Sequence, residues 1–438
     1  MEQLSGFAYF PVQFTKDAVV HDQTEVTRLK EFLRQDRTTD LIVISHGWNN
    51  NMGQAKDLYA KFFANFRSAL TVGSPAGLAN RRWAILGVLW PSKKFEEKEL
   101  IPSGAAGAGS VVGMAAMKAK LADLKGVFDA PQADVTIEEL QKLLPKLEDS
   151  TTAQREFIEK VRSLVPKRSL DAEDGSGLFF QEPPAEVLQK LSRPVSFTVA
   201  RPPVNAGGAA AIGAGGAAGL GEFFRGIWSG VRNVLNYTTY YQMKERAGLV
   251  GANGVNPILS AIKAEQSELK MHLIGHSFGG RLVAATVAGV SDAALLHVTT
   301  LSLLQAAFSH YGFAEKWDGT NHGFFYRVVG GRAVAGPTII TCTENDKAVG
   351  LAYPIASLLA GQVASGVGDK NDKYGGIGRN GAQKTPRTVD LSLLDVTGSY
   401  QLTNEGVHNL STDRLITDHG DVANQAVVHA VASAIAAT

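Results

Sequence analysis

The hydrophobic positions of the chain alternate between short apolar runs and longer amphipathic stretches. Four consecutive aliphatic residues at 41–44 predict a strand buried on both faces, as in a parallel sheet. Apolar residues with helical spacing predict helices over 24–35 and about 54–70. Strands that alternate with helices in this way predict an α/β fold, with a mostly parallel sheet covered by helices on both faces.

Similar runs predict the other elements of this sheet. Further strands are predicted at 7–14, 83–90, 270–274, 298–308, 337–343 and 389–396. Further helices are predicted at 223–246, 256–265, from 282 onwards, after 346 to about 359, and at 422–436. The run at 389–396 is predicted to be the last strand. Residues 311–336 and 361–387 are rich in glycine and predict loops.

The pattern changes between residues 92 and 224. This region has two tracts rich in glycine and alanine, at 103–117 and 205–221, and charged helices in place of apolar strands. We therefore expect a core formed by residues 1–91 and 225–438. Residues 92–224 are expected to be inserted into this core as a helical, Gly/Ala-rich cap.

Two helices of the insertion are predicted over 136–147 and 151–164 from their amphipathic spacing. Two residue pairs have the spacing of a capping box, which predicts where these helices begin: Thr136 with Glu139, and Thr151 with Gln154. Residues 172–177 are polar and predict a loop, and the prolines that follow predict irregular chain.

The two Gly/Ala tracts have two interpretations. One is a mobile lid or a surface that contacts lipid, with glycine hinges and an apolar face just beyond the second tract, formed by Phe223, Phe224, Ile227 and Trp228. The other is that small residues let two helices of the insertion pack closely. We favour the second interpretation. Each tract is too short to cross a bilayer.

Composition narrows the classes of function. The chain has 438 residues, 45% of them hydrophobic and 19% charged, which is typical of a globular protein with a large core. The net charge of +1 gives no reason to expect a nucleic acid or a strongly acidic partner. The N-terminal residues lack the charged and apolar regions of a signal peptide, which predicts a cytoplasmic location unless export uses a route without one.

The most informative motif is Gly-His-Ser-Phe-Gly at 275–279. It lies between an apolar strand and an apolar-periodic helix, the context in which G-x-S-x-G forms a sharp turn around a nucleophilic serine. Gly275 and Gly279 are expected to let strand and helix approach closely. The turn would expose the Ser277 hydroxyl and place the Phe278 N–H at the helix N-terminus, facing an oxyanion. The pentapeptide alone fits an ordinary glycine-rich turn equally well.

Other groups occur in the order that a serine hydrolase needs. A predicted strand ends in Ser-His-Gly-Trp at 45–48, Asp346 follows a late strand, and His419 precedes the last helix. Together with the GHSFGG sequence, this order resembles the α/β-hydrolase superfamily, in particular its lipase and esterase branches. The resemblance covers residues 38–91 and 225–438. The insertion has no counterpart in the common core of that superfamily.

The resemblance implies a role for each of these residues. Ser277 matches the nucleophile, His419 the general base, and Asp346 the acid that orients the imidazole. The backbone N–H groups of Trp48 and Phe278 match the two donors of an oxyanion hole. The implied reaction is hydrolysis of a carboxylic ester through an acyl-enzyme, on a small-molecule substrate with an apolar acyl or aromatic group.

Several residues stay open as alternatives for these roles. His408, which also follows the predicted last strand, is the second candidate for the base. Glu344 and Asp318 are the other candidates for the acid. The remaining residues near the motifs are interpreted as structural: His46, His276, His310, Asp395, and Asp421 as a first-turn charge of the last helix. Of these, His310 could instead line the pocket.

Two alternatives to an esterase remain at the level of function. One is a lipase or phospholipase that acts at a membrane surface through the cap, and the other is a non-catalytic, hydrolase-like binding module. The same triad also serves amidases, thioesterases and lactonases. No histidine or carboxylate cluster has metal-ligand spacing, and no glycine-rich segment fits a dinucleotide or Walker A motif, so we predict neither metal nor cofactor.

Overall fold

The computed structural model describes residues 2–48, 50–92, 110–165, 171–192, 220–344, 346 and 373–438. Strands and helices alternate along these residues, so the chain has the α/β architecture that its sequence predicts. The helix predicted after residue 346 lies outside the described residues, as does most of the tract at 205–221. So do the side chains of Phe223 and Phe224.

Nine strands in the described part of the chain form one sheet. The strands are β1 (Glu2–Leu4), β2 (Phe7–Gln13), β3 (Asp40–Ser45), β4 (Trp83–Leu89), β5 (Lys270–His276), β6 (Thr300–Leu304), β7 (Thr338–Cys342), β8 (Thr388–Ser392) and β9 (Val407–Ser411). Their order across the sheet is β1-β2-β4-β3-β5-β6-β7-β9-β8. All neighbouring pairs are parallel except β1 and β2, so the carboxyl ends of eight strands lie at one edge.

Helices connect these strands and fill the segment between β4 and β5. In chain order they are α1 (Gln23–Gln35), α2 (Met52–Val72), α3 (Ser110–Asp123), α4 (Ala133–Leu143), α5 (Thr151–Ser163), α6 (Ser176–Gln181), α7 (Pro184–Leu191), α8 (Leu220–Leu249), α9 (Asn256–Glu265), α10 (Phe278–Ala288), α11 (Tyr326–Gly330), α12 (Ile377–Asn380) and α13 (Gln425–Ala436). The short helices α11 and α12 lie in stretches predicted to be loops.

The sheet is buried on both faces, as alternate residues of β3 show. Leu41 and Val43 join an apolar cluster that contains α1, α10 and the helices between β4 and β5. Ile42 and Ile44 point the other way and join a second cluster with α2 and α13. A strand with both faces covered needs an apolar residue at every position, which explains its unbroken aliphatic run.

The connections on the two sides of the sheet separate between β3 and β5. The helix that follows β3, α2, packs on one face of the sheet, whereas the helix that follows β5, α10, packs on the other. The chain therefore diverges at the carboxyl ends of these two neighbouring strands. In open α/β sheets, ligands bind at such a divergence. Residues 46–48 and 277 lie there.

The end of the sheet differs from the prediction. The last strand in sequence is β9 and not the run at 389–396, of which only β8 is a strand. β9 was missed because His408 and Asn409 interrupt its apolar pattern. Both side chains are buried, and Asn409 accepts a hydrogen bond at Oδ1 from the Ala382 N–H at 2.8 Å. The strand predicted at 298–308 is also shorter, since Gln305 leaves it with φ of 44°.

The starts of the helices between β4 and β5 also differ from the prediction. α4 begins at Ala133, after Gln132 in the left-handed conformation, so Thr136 lies inside the helix and does not cap it. α5 is capped by Ser150, whose hydroxyl accepts from the Ala153 N–H at 3.2 Å, and not by Thr151. The prolines that were predicted to break up the following chain include Pro184, which is the first residue of α7.

Small residues allow close packing between α3 and α8. A Cβ on Gly113 would lie 2.9 Å from Cδ1 of Trp228. Ile227 and Trp228 are both buried, at 5% and 8% exposed, so these two side chains are part of the core and do not form an exposed apolar face. Gly113 of the first tract therefore packs closely against a helix that lies mostly in the predicted core.

Candidate active site

Ser277 lies at the apex of the turn between β5 and α10. Its backbone has φ of 56° and ψ of −123°, a combination that costs a non-glycine residue about 1–3 kcal/mol. The neighbouring chain holds this conformation from both sides. The Ser277 N–H donates to the Leu304 carbonyl at 3.0 Å, and the Ser277 carbonyl accepts from the Ala307 N–H at 2.9 Å. The serine is therefore fixed by the strand next to its own.

Three glycines allow the chain to close around this serine. A Cβ on Gly275 would lie 2.2 Å from the Gly279 carbonyl oxygen, and one on Gly279 would lie 2.3 Å from that of Ser45. A Cβ on Gly47 would lie 2.6 Å from the Ser277 Cβ. Since real side chains do not approach so closely, each position requires glycine. The His-Gly turn after β3 thus lies directly against Ser277.

The residues predicted to supply oxyanion donors lie side by side. Phe278 is the first residue of α10, where the helix offers no acceptor for the backbone N–H. The ring of Trp48 packs 5.9 Å from that of Phe278, between centroids. The turn after β3 and the N-terminus of α10 therefore meet next to Ser277.

His419 and Asp346 are brought together from two separate loops. The His419 Nδ1 lies 2.8 Å from the Asp346 Oδ2, although 73 positions separate them in the chain. Asp346 is fully buried, whereas His419 is 9% exposed. In the neutral imidazole this pairing places the proton on Nδ1, so Nε2 is the nitrogen that can take up a proton.

A second contact links His419 to the turn that carries Ser277. The ring of His276, the residue before Ser277, lies 4.8 Å from the His419 ring between centroids. His276 also donates from Nε2 to the His419 backbone carbonyl at 2.9 Å. His419 and Asp346 therefore pair beside the residue that precedes Ser277, near the carboxyl ends of β5 and β7.

The other candidates for the acid lie in different surroundings. Glu344 is exposed. Asp318 is also exposed and is held in its own turn by the N–H groups of Asn321 and Thr320, at 2.7 and 2.9 Å. These bonds, the one from Asn321 first, lower the pKa of Asp318 to about 2. Asp395 caps a turn at Thr397, 2.9 Å from its N–H.

The competing histidines are also engaged elsewhere. His408 lies within β9 and not after the last strand, and its Nε2 accepts from the Thr403 N–H at 3.2 Å. His310 is fully buried, with Nδ1 3.1 Å from the Asn380 amide nitrogen, and burial lowers its pKa to about 3. Asp421 is not a first-turn charge, because α13 is capped by Asn424 three residues later.

His46 supports the turn after β3 from within. It is fully buried and stacks on Trp90, with 5.6 Å between ring centroids. Its Nε2 accepts from the Trp90 N–H at 3.3 Å, and its Nδ1 donates to the Gly47 carbonyl at 2.9 Å. Burial lowers the pKa of His46 to about 4, so the ring is neutral at pH 7. A neutral ring with both nitrogens in hydrogen bonds acts as structural support.

A buried charge cluster links residues 171–174 to α10, and it was not predicted from the sequence. Lys244 Nζ contacts Asp171 Oδ2 at 2.6 Å and also Asp174, while Arg281 Nη1 lies 3.1 Å from the same Asp171 oxygen. Residues 172–177 were predicted to form a polar loop, but they form a 3₁₀ turn and the start of α6, with Glu173 and Asp174 buried.

Within this cluster, the pKa values of the carboxyl groups shift in opposite directions. Burial opposes ionisation of Asp171, but the charges of Arg281 and Lys244 outweigh it and lower the pKa. Burial raises the pKa of Asp174 despite Lys244. Burial, followed by the charges of Asp171 and Asp174, also raises the pKa of Glu173 to about 7. Glu173 accepts a hydrogen bond from the Phe324 N–H at 3.0 Å.

Comparisons with protein-family models, curated proteins and solved structures find no match to this chain. Among the described residues, no group of three or more histidine, cysteine or carboxylate side chains is placed to hold a metal ion. None of the helices in the described ranges is both long and apolar enough to cross a membrane.

Proposed function

We propose that this protein is a serine hydrolase that cleaves carboxylic esters through an acyl-enzyme. The observation that carries the proposal is the convergence of three features at one edge of the sheet. Ser277 has a strained backbone conformation in a turn that only glycine neighbours allow. His419 pairs with the buried carboxylate of Asp346 at 2.8 Å. The His419 loop also contacts the residue before that serine. A fold maintained only for binding has no need of this combination.

In the acylation step, the Ser277 Oγ attacks the ester carbonyl carbon while His419 Nε2 takes the hydroxyl proton. Asp346 holds the ring in the required tautomer and stabilises the imidazolium that forms. The carbonyl oxygen becomes an oxyanion, which the backbone N–H groups of Phe278 and Trp48 stabilise, each worth roughly 3 kcal/mol. When the tetrahedral intermediate collapses, the C–O bond of the ester breaks and His419 returns the proton to the leaving alcohol.

In the deacylation step, water replaces the alcohol. His419 takes a proton from the water, whose oxygen attacks the acyl carbon bound to Ser277. The second tetrahedral intermediate releases the carboxylic acid, and the proton returns to the Ser277 Oγ. No redox partner or metal ion enters this scheme.

Aromatic side chains around the nucleophile support an apolar acyl or aromatic substrate. The ring of Tyr240, on α8, lies 4.8 Å from that of Phe278 between centroids, and Trp48 packs on the same ring. We further propose that residues 92–224 form a cap over this region. The described helices between β4 and β5 share one apolar cluster with α10, and Asp171 binds Arg281 of α10.

The experiment that tests this function is hydrolysis of p-nitrophenyl esters from acetate to palmitate. We expect the wild type to turn over at least one chain length and Ser277→Ala to turn over none. Ser302→Ala is the matched control, because that hydroxyl is buried inside β6 and its loss should leave turnover unchanged. Equal activity of Ser277→Ala and the wild type, or no activity on any ester, would contradict the proposal.

A further inference from the structure

Two side chains that the mechanism does not use hold the loop that carries His419. His276, the last residue of β5, donates from Nε2 to the His419 carbonyl oxygen at 2.9 Å. Gln305, just after β6, donates from Nε2 to the Asp418 carbonyl oxygen at 3.0 Å. Two successive backbone carbonyls of one loop are therefore anchored from the ends of two neighbouring strands.

The chemistry of His276 fits this task. Its acceptor is a carbonyl oxygen, so the proton must lie on Nε2, and burial followed by the neighbouring His419 lowers the pKa of His276 to about 3. The ring is therefore neutral at pH 7 and donates a single hydrogen bond. A neutral donor anchors the loop without placing a second positive charge beside the imidazolium that forms on His419.

Gln305 is restrained at both its backbone and its side chain. Its backbone adopts φ of 44°, and its N–H donates to the Thr341 hydroxyl at 3.0 Å. The side chain is fully buried, and its Oε1 has no hydrogen-bond partner within the described residues. A buried amide oxygen without a hydrogen-bond donor is unfavourable for folding. The amide is nevertheless oriented so that its nitrogen donates to the Asp418 carbonyl oxygen.

We infer that His276 and Gln305 are positioning residues that fix the backbone of the His419 loop, so that the imidazole is presented to Ser277. The inference rests on the proposed hydrolase function. Asp346 restrains the imidazole itself, whereas these two residues restrain the main chain that carries it. A side chain tethered only at its tip can still shift with its backbone, and a displacement of about 1 Å at a catalytic group can cost 100-fold in rate.

Variants that remove each donor without adding charge test this inference. His276→Phe and Gln305→Met should lower kcat about 10- to 100-fold while KM changes less than about threefold, since the substrate-binding groups stay in place. His276→Gln, which retains an N–H donor near the position of Nε2, should recover most of the lost kcat. Far-UV circular dichroism and the thermal midpoint establish that each variant is folded.

His429→Phe is the matched control. This buried histidine also approaches a backbone carbonyl with Nε2, that of Gly398 at 2.8 Å, but it lies on α13, where its ring is 6.1 Å from that of Tyr400 between centroids. It should change stability and leave kcat at the wild-type value. A His276→Phe or Gln305→Met variant that keeps wild-type kcat, or a His429→Phe variant that loses as much, would overturn the inference.

Hydrogen exchange measured by mass spectrometry supplies a readout that does not depend on activity. Backbone amides in the peptide covering 412–424 should exchange faster in His276→Phe and Gln305→Met than in the wild type, and at the wild-type rate in His429→Phe. If the wild type cleaves no ester, the proposed function fails, and the exchange rates still decide whether these side chains hold the loop. Unchanged exchange in both variants would refute the anchoring role.

Discussion

The imidazole of His419 and the carboxylate of Asp346 form a 2.8 Å pair that joins the loop after β7 to the loop before α13. Replacing Asp346 with Asn keeps the shape of the side chain but removes the charge and favours the wrong imidazole tautomer. We expect kcat for ester hydrolysis to fall by about 10⁴-fold, the loss seen when a serine hydrolase has this carboxylate replaced by an amide. The measurement is steady-state hydrolysis of the best p-nitrophenyl ester.

Glu344→Gln is the control for this prediction. Glu344 lies two positions before Asp346 and is exposed. The kcat of the Glu344→Gln variant should therefore stay near the wild-type value. A large loss in Glu344→Gln with little loss in Asp346→Asn would exchange the roles of the two carboxyl groups and contradict the geometry described above.

Gly47, in the turn after β3, leaves no room for a side chain next to Ser277. Adding a methyl group in Gly47→Ala places a Cβ 2.6 Å from the Ser277 Cβ, so the two turns must separate. Because this moves the nucleophile and the neighbouring backbone donors, we expect kcat/KM to fall about 100-fold. Gly177→Ala, where the added Cβ would meet only the flexible end of Gln181 at 3.4 Å, should leave kcat/KM unchanged. Equal effects of the two substitutions would contradict the prediction.

Much of this arrangement could be predicted because its signals are local. The aliphatic run of β3 and the Gly-His-Ser-Phe-Gly motif are each a continuous stretch of sequence, so a short window reveals them. β9 could not be predicted in this way, because buried polar side chains such as Asn409 are satisfied by distant backbone groups. A pattern based on hydrophobicity assigns such residues to a loop.

The charge cluster was missed for a related reason. Lys244 is 70 positions from Asp174, and a short acidic segment resembles a solvated loop until its cationic partners are known. Gln305 gave no signal at all, since a glutamine after a strand is common. The residues proposed to carry the chemistry could therefore be named from the sequence, whereas Gln305 and the charge cluster could not.

The buried cluster predicts a strong effect on stability. Lys244 is fully buried, and Lys244→Met leaves Asp174 buried beside Asp171 with less positive charge to compensate them. We expect the free energy of unfolding in urea to fall by about 3–5 kcal/mol. Lys190→Met removes a lysine from a partly exposed pair with Glu182 and should cost less than about 1 kcal/mol. If the two variants lose comparable free energy of unfolding, Lys244 does not compensate the buried charges of Asp171 and Asp174.

Glu173 predicts how stability depends on pH. Its pKa rises from 4.5 to about 7 in the fold, so between these values the folded chain binds more protons than the unfolded chain. Its contribution to stability is therefore present below pH 4.5 and is lost as the pH rises to 7, by roughly 3 kcal/mol in all.

Glu173→Gln isolates this effect, since the amide keeps an acceptor for the Phe324 N–H and cannot ionise. Unfolding in urea at pH 5 and pH 8 should show the variant gaining stability relative to the wild type at the higher pH. If the difference between the two proteins is the same at both values, Glu173 does not titrate between them.

Covalent labelling tests the central claim most directly, because it depends on an assembled nucleophile and not on a choice of substrate. The wild type is incubated with a fluorophosphonate, and the modified residue is located by mass spectrometry. We predict a single adduct on Ser277, absent from Ser277→Ala and formed more slowly in His419→Gln. A wild type that stays unmodified, or that is labelled at another serine while Ser277 remains free, would contradict the assignment of Ser277 as an activated nucleophile.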